Sequence, residues 1–390
     1  MKRFAVLPAV CLCFILNGCI TEYEAKKLED TENILVVEGI ITEGTSNITL
    51  SRSVSLMHAG GLSSFTYVDD AIVSVECDDG TRIIADEHTD RINGLYVIQT
   101  GELNFDRKYR LKIEIDEFDC SSVEAGVSPC ASKKYEYSTN YMSPVLTPEI
   151  DSVFWTKKTR GQPVNIHVAT HSPDSEVLYY RWSYKEDWEI RSDRISVAEF
   201  PYPYFCWGTL NSKSVLIGSA ENTALGQLTS IIAEIDPTDR KLEVLYRIKV
   251  KQNAISKQAY DYYANIKKNT QQTANIFAPI QSELRGNITC ITDPKIQVIG
   301  YVDISTSTQY QQYISNSAGI YEYNRFMDCE DVMQDSLLYN YGIIPDYYVP
   351  HHWGYDENIN LRLFYIFDRC VDCTFFGTTV RPDDWPGIYY

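Results

Sequence analysis

The hydrophobic residues in the first third of the chain recur in short alternating runs. These runs occur at ILVVEGII (34–41), NITLSRSV (47–54), AIVSVECDDG (71–80), NGLYVIQ (93–99) and KYRLKIEI (108–115). Alternation with a period of two, broken by Gly, Asp and Asn, is typical of short β-strands joined by turns. The pattern predicts an N-terminal β-sandwich of immunoglobulin or transthyretin type over residues 34–142.

A second β-rich domain is predicted from residue 148 to residue 390, after a Pro-containing boundary at 143–148. Its apolar runs are SVFWTKK (152–158), PVNIHVAT (163–170), VLYYRWSY (177–184), SVLIGSA (214–220), LEVLYRIKVKQNA (242–254) and QVIGYVDIST (297–306). The residues after Gln309 are rich in Tyr and Asp, and their pattern assigns no clear elements. The fold class is therefore mainly β.

One segment of the second domain has a helical period instead. Residues 256–272 repeat apolar positions every three or four residues, and Ser256 is a candidate N-cap. The predicted buried face consists of Ala259, Tyr262, Tyr263 and Ile266. We predict one α-helix of about four turns packed on the sheet.

The N-terminus reads MKRFAVLPAVCLCFILNGC, a positively charged start followed by a short apolar run and a cysteine. The run is shorter than the roughly 20 residues that span a bilayer, so residues 1–18 are predicted to be a signal peptide. Cys19 is then the predicted lipidated first residue, and the polar residues 19–33 form a tether. Glu22 and Glu24 fit an acidic signal for surface export, although a solvated linker has the same composition.

The formal net charge of the chain is −18. An acidic surface without a basic stripe repels phosphate backbones, so nucleic acid is not expected as a partner.

Eight cysteines follow Cys19, and an even number in an exported protein predicts disulfides. Cys77 lies on a predicted strand and is expected to be a buried free thiol. The disulfide candidates are Cys120, Cys130, Cys206, Cys290, Cys329, Cys370 and Cys373. We expect Cys120 to pair with Cys130 across a short loop, and Cys206 to pair with Cys290.

The C-x-x-C pair at Cys370 and Cys373 leaves two other interpretations open, which are a zinc site and a redox dithiol. A structural zinc site needs four ligands, but no second C-x-x-C exists, and His351 and His352 are adjacent instead of three to five residues apart. A redox dithiol needs its C-x-x-C at the start of a helix that follows a strand, and the residues after Cys373 do not have a helical pattern. Disulfides are the favoured interpretation, and no metal or other cofactor is predicted.

No catalytic motif such as G-x-S-x-G or H-E-x-x-H occurs in the sequence. The clearer signal is the clustering of aromatic residues at 179–188, 201–207 and 339–358. Tyr and Trp rings stack on ligands while their polar atoms form hydrogen bonds, although the same rings also line sheets and domain interfaces. The candidate ligand-binding residues are Tyr347, Tyr348, Trp353, Tyr355, Trp182 and Trp188.

Several motifs in this order resemble a known family. They are LVVEGIIT, AIVSVECDDG, the helix with its preceding strand, GNITCITDPKIQVIGY (286–301) and CVDC (370–373). The chain resembles the Bacteroidota lipoproteins that carry domain of unknown function 4249. The resemblance implies a lipid-anchored outer-membrane protein, exposed at the cell surface, that assists a TonB-dependent receptor in nutrient capture without catalysis. A surface hydrolase and a purely structural or adhesive module are the alternatives.

Overall fold

The computed structural model describes residues 33–53, 65–86, 93–119, 131–172, 177–223, 226–272, 286–322 and 329–387. The predicted signal peptide, Cys19 and the predicted pair Cys120 and Cys130 lie outside these residues.

The fold is mainly β, as the sequence predicted. The described strands are β1 (Leu35–Ile40), β2 (Gly44–Ser53), β3 (Phe65–Tyr67), β4 (Ile72–Cys77), β5 (Arg82–Ile84), β6 (Leu95–Gly101), β7 (Tyr109–Asp119), β8 (Ala131–Thr139), β9 (Ile150–Thr156), β10 (Val164–Thr170), β11 (Tyr179–Arg191), β12 (Phe205–Asn211), β13 (Leu216–Ser219), β14 (Leu228–Ile235), β15 (Leu245–Ala254), β16 (Ile288–Cys290), β17 (Val298–Gly300), β18 (Ser307–Ser315), β19 (Val332–Met333), β20 (Tyr348–Tyr355) and β21 (Leu361–Phe367). The helices are α1 (Lys257–Gln272), α2 (Gln334–Tyr341) and α3 (Asp368–Val371).

Two five-stranded sheets enclose the N-terminal core. One has the order β17-β1-β2-β3 with β6 also paired to β2, and the other has the order β16-β8-β7-β4-β5. Inward-facing side chains such as Leu50, Ile98, Leu111 and Ile113 are fully buried between them. The alternating pattern of the sequence therefore marks the residues that form this core. The immunoglobulin or transthyretin type remains a prediction.

The two N-terminal sheets also contain strands from residues after α1, which lie outside the predicted range 34–142. Strand β17 pairs in parallel with β1, and β16 pairs with β8. The Asn287 side chain also bonds the backbone of Val302 in both directions, at 2.8 and 3.0 Å. A run of apolar residues shows that a strand exists but does not identify its partner, so this return was not predictable from local pattern.

The second unit also has two sheets around one core. Their orders are β14-β10-β9 and β12-β11-β15-β18, with β13 paired to β11. The core between them contains Ile166, Tyr180, Tyr246 and Ile248, which are all fully buried.

Helix α1 lies where the sequence predicted it and packs between the two units. The Ser256 hydroxyl accepts a hydrogen bond from the Ala259 N–H at 3.1 Å, which confirms the N-cap. Ala259, Tyr262 and Tyr263 are buried in a cluster that also includes Tyr179 from the second unit, with Ile40 and Tyr301 from the first unit packed against it. The amphipathic face therefore joins the two units.

Gly300 is predicted to be essential for the contact between β1 and β17. Its φ is +149°, and a Cβ atom at this position would lie 2.3 Å from the Val37 carbonyl oxygen. We expect Gly300→Ala to lower the free energy of unfolding by about 3 kcal/mol, because the clash is with backbone in a packed region. Urea denaturation measures this loss. Gly387→Ala is the control, since a Cβ there meets nothing within 4 Å; an equal loss in both variants would contradict the prediction.

Candidate binding surface

The segment with the most exposed apolar side chains in the described chain includes a small C-terminal sheet. This sheet has the order β19-β21-β20, and helix α2 lies between β19 and β20 in the chain. Of the 23 large apolar side chains that are exposed among the described residues, nine lie within the 24 residues from 338 to 361. Single exposed apolar residues are ordinary, but a cluster of them marks an interaction site.

The centre of this surface is the hairpin of β20 and β21. Trp353 and Tyr355 are two residues apart, so they point to the same side of β20, and they are 51% and 69% exposed. Their direct cross-strand partners on β21 are Leu363 and Leu361. We call these four residues the aromatic face.

Asp356 fixes the turn of this hairpin. Its carboxylate accepts hydrogen bonds from the backbone N–H groups of Asn358 and Asn360, each at 2.9 Å, and from Arg362 Nε at 3.1 Å. The bond from the Asn360 backbone is the main reason that the pKa of Asp356 falls to about 2. The carboxylate therefore stays ionised, and the strands that carry the aromatic face are held in one register.

One disulfide attaches this C-terminal segment to the second unit, and another links the residues before β19 to those after β21. Cys373 bonds to Cys206 on β12, and Cys370 bonds to Cys329 just before β19. The C-x-x-C cysteines thus bond to two different partners. This result confirms structural disulfides for this motif, because sulfurs in disulfides are not thiolates and bind no zinc.

Hydrogen bonds reinforce the covalent attachment. The backbones of Trp207 and Thr378 bond to each other in both directions, at 2.8 and 2.9 Å. The Ser192 hydroxyl donates to the Val371 carbonyl at 2.9 Å. The segment after β21 is therefore fixed along β12, and the aromatic face is presented from a firmly held base.

The predicted disulfide between Cys206 and Cys290 is wrong. Cys290 is a buried free thiol in the N-terminal unit, whereas Cys206 reaches the tail. Cys77 is also free and buried, as expected, and burial raises the pKa of its thiol. Cysteine pairing depends on tertiary proximity, which spacing along the chain does not reveal.

Four of the six candidate ligand-binding residues lie in or next to the hairpin of β20 and β21, and the other two lie on β11. Tyr347, Trp353 and Tyr355 are exposed, whereas the partly buried Tyr348 stacks on Phe367 with 4.5 Å between ring centroids.

The two tryptophans of β11 lie elsewhere. Trp182 is in the core of the second unit, where its Nε1–H donates to Gln252 Oε1 at 2.7 Å, so burial excludes it from contact with an external ligand. Trp188 is partly buried under the Lys241 ammonium, which lies 4.9 Å from the ring centroid. The alternative interpretation, that such rings line the sheet, applies to both tryptophans.

A β-bulge near the aromatic face brings two histidines together. The pairing of β20 with β21 shifts register between Pro350 and His352, which makes His351 the extra residue. Adjacent residues of a regular strand point to opposite faces, but here the Nδ1 atoms of His351 and His352 are 3.2 Å apart. Asp331 Oδ1 lies 2.6 Å from His351 Nδ1.

Sequence reasoning set these histidines aside because they are adjacent. The signal that could have indicated the bulge is Pro350, since proline within a strand pattern marks an edge or a bulge. No sequence signal connected Asp331 with them, because it is 20 residues from His351.

Two surface recesses elsewhere are less suited to binding, because their charged groups already have partners in the protein. Lys157 Nζ lies 2.6 Å from Glu322 Oε1 in one recess. In the other, Asp303 accepts a hydrogen bond from the Ser256 N–H at 2.8 Å and so supports the start of α1. Burial raises the pKa of Asp303.

The family described as domain of unknown function (DUF4249) matches residues 20–311. The chain belongs to this family. No curated protein matches it.

The DUF4249 match covers both units and ends within β18. The GNITCITDPKIQVIGY motif lies inside it and forms β16 and β17, so the role of this motif in the structure is to complete the N-terminal core. The aromatic face, the two histidines and CVDC follow the matched residues. Among the described residues of this DUF4249 protein, no helix has both the length and the apolar character needed to cross a bilayer.

Proposed function

We propose that this protein is a lipid-anchored binding protein of the outer membrane that holds a nutrient ligand for a TonB-dependent receptor and performs no catalysis. The observation that carries the proposal is the concentration of exposed aromatic and apolar side chains within residues 338–361, a segment that includes the hairpin of β20 and β21. Such side chains dominate the binding energy of many interfaces when they are held on a rigid base.

The firm attachment of this sheet supports binding over a role as a loose adhesive segment. Its hairpin is closed by Asp356, and two disulfides and strand pairing hold the segments on either side. Because little freedom remains to be lost, a ligand that contacts Trp353 and Tyr355 does not have to order them first.

The predicted lipidation of Cys19 adds the second element of the proposal. A lipid anchor confines the protein to the plane of the receptor, which raises their effective concentration without requiring a large interface. The lipobox-like N-terminus and the family resemblance support this part.

A binding panel tests the ligand-holding role. We expect the purified protein to bind at least one class among soluble glycans, peptides and metal chelates, without releasing products. Trp353→Ala combined with Tyr355→Ala should weaken that binding at least tenfold, about 1.4 kcal/mol.

Tyr67→Ala combined with Phe105→Ala removes two aromatic rings that are exposed to similar degrees, 44% and 46%, far along the chain from the aromatic face. This control should bind as the native protein does. Turnover of any panel member, or equal losses in the two double variants, would refute the proposal.

A further inference from the structure

We propose that Asp331, His351 and His352 form a binding site for a divalent first-row transition cation such as Zn²⁺. The three donor atoms are the two Nδ1 atoms and Asp331 Oδ1. Their separations are 2.6 Å between Asp331 and His351, 3.2 Å between the histidines, and 3.8 Å between Asp331 and His352. Donors bound tetrahedrally at about 2.1 Å from one zinc ion are about 3.4 Å apart, so shifts of less than 1 Å bring all three donors onto one ion.

The second hydrogen bond of His351 directs its Nδ1 toward the proposed ion. His351 Nε2 lies 3.3 Å from the Ile195 carbonyl oxygen, and a carbonyl only accepts, so Nε2 carries the hydrogen. In the neutral ring, Nδ1 then presents a lone pair toward Asp331 and His352. Donation of the other ring N–H to a backbone carbonyl is the usual arrangement of a metal-ligating histidine.

The surroundings hold the other two donors in place. The His352 ring stacks on Phe364 with 5.0 Å between centroids and 2° between planes. Asp331 lies between Cys329, which is bonded to Cys370, and β19, which pairs with β21. The donors therefore come from a preorganised site and not from freely moving side chains.

The types of donor select the class of cation. Two imidazole nitrogens and one carboxylate suit Zn²⁺ and its first-row neighbours, whereas Ca²⁺ and Mg²⁺ prefer oxygen ligands only. The side chains of Asp331 and His352 are 34% and 33% exposed, whereas His351 is largely buried. Solvent or a ligand donor can therefore reach the remaining coordination position.

A second group of potential metal ligands, formed by Asp193, Cys329 and Cys370, is not proposed as a cation site. Asp193 lies close to the sulfurs of Cys329 and Cys370. Those sulfurs are bonded to each other, so they provide no thiolate for a metal.

Calorimetric titration of the untagged, chelator-treated full chain with ZnCl₂ tests the proposal. We expect one site with a Kd below about 10 μM. Replacement of Zn²⁺ with Co²⁺ should produce the visible absorption of a tetrahedral complex. His351→Ala and His352→Ala should each weaken binding at least 100-fold, and Asp331→Asn should weaken it measurably while preserving the shape of the side chain.

His171→Ala is the matched control, because His171 also contacts a carboxylate, that of Asp151 at 2.7 Å, but has no second histidine beside it in the sequence. It should bind Zn²⁺ as the native protein does. Circular dichroism identifies any variant that has failed to fold, and Asp331→Asn provides an independent test in that case. Absence of Zn²⁺ binding below 100 μM, or equal affinities in His351→Ala and His171→Ala, would overturn the proposal and leave the three residues as a hydrogen-bonded cluster.

Discussion

Replacement of both Cys206 and Cys373 by alanine is expected to lower the free energy of unfolding by about 5 kcal/mol. The disulfide joins residues separated by 167 positions, and the chain-entropy relation gives about this value for a loop of that length. The same relation gives about 4 kcal/mol for Cys329 with Cys370, which are 41 residues apart. Urea denaturation under non-reducing conditions measures both losses.

The free buried thiols provide the control for the disulfide prediction. Cys77→Ala and Cys290→Ala remove sulfur atoms from the core without removing a crosslink, so each should cost about 1 kcal/mol. Addition of a reductant should destabilise the native protein more than a quadruple variant in which Cys206, Cys329, Cys370 and Cys373 are all replaced by alanine. A loss in the Cys206 and Cys373 variant no larger than that of Cys77→Ala would contradict the structural role of the crosslink.

Arg247→Met is expected to lower the free energy of unfolding by about 3–5 kcal/mol. Arg247 on β15 lies directly opposite Asp187 on β11, and Nη2 is 2.6 Å from Asp187 Oδ2 with both side chains almost completely buried. Although burial acts in the opposite direction, hydrogen bonds from Thr209 and Arg247 hold the pKa of Asp187 below its ordinary value. Removal of the guanidinium would leave a buried carboxylate without its main partner. An uncompensated buried charge destabilises the folded state strongly.

Arg247 also holds the end of the described chain. Its Nη1 donates to the Asp383 carbonyl at 3.1 Å, and its guanidinium lies 5.1 Å from the ring centroid of the buried Trp385. We therefore expect Arg247→Met to increase proteolysis after residue 378 as well.

Two further variants separate the charge effect from simple truncation. Arg107→Met breaks a solvent-accessible pair with Asp78, in which Nη1 and Oδ1 are 3.7 Å apart, and should cost about 1 kcal/mol or less. Arg247→Met combined with Asp187→Leu removes both charges and should recover at least half of the single-variant loss. Equal losses in Arg247→Met and Arg107→Met, or no recovery in the double variant, would show that the buried pair has no special importance.

Periodicity predicted the local elements of this protein well. The spacing of Ala259, Tyr262 and Tyr263 identified the buried face of α1, and Ser256 identified its start, because capping and amphipathicity are local properties. The pairing partners of strands and cysteines could not be predicted from the sequence pattern. Strands β16 and β17 return to the N-terminal core, and Cys206 bonds to the tail, through contacts between residues far apart in the sequence.

The candidate surface was predictable in part. The abundance of Tyr and Trp drew attention to residues 339–358, but composition alone did not separate the exposed Trp353 from the buried Trp182. The two histidines were set aside because they are adjacent, whereas the histidine pairs of structural zinc sites are usually three to five residues apart. A single extra residue in β20 reverses that conclusion, and such irregularities depend on the register between strands, which no local pattern specifies.

Affinity capture of the full-length protein from outer membranes, solubilised in a mild detergent, tests the proposed association with a receptor. We expect a TonB-dependent receptor to be recovered with the native protein, and we expect Cys19→Ala, which removes the predicted lipidation residue, to reduce this recovery greatly. Absence of any such receptor from the native capture, with the native protein and Cys19→Ala fractionating alike, would contradict the proposed function.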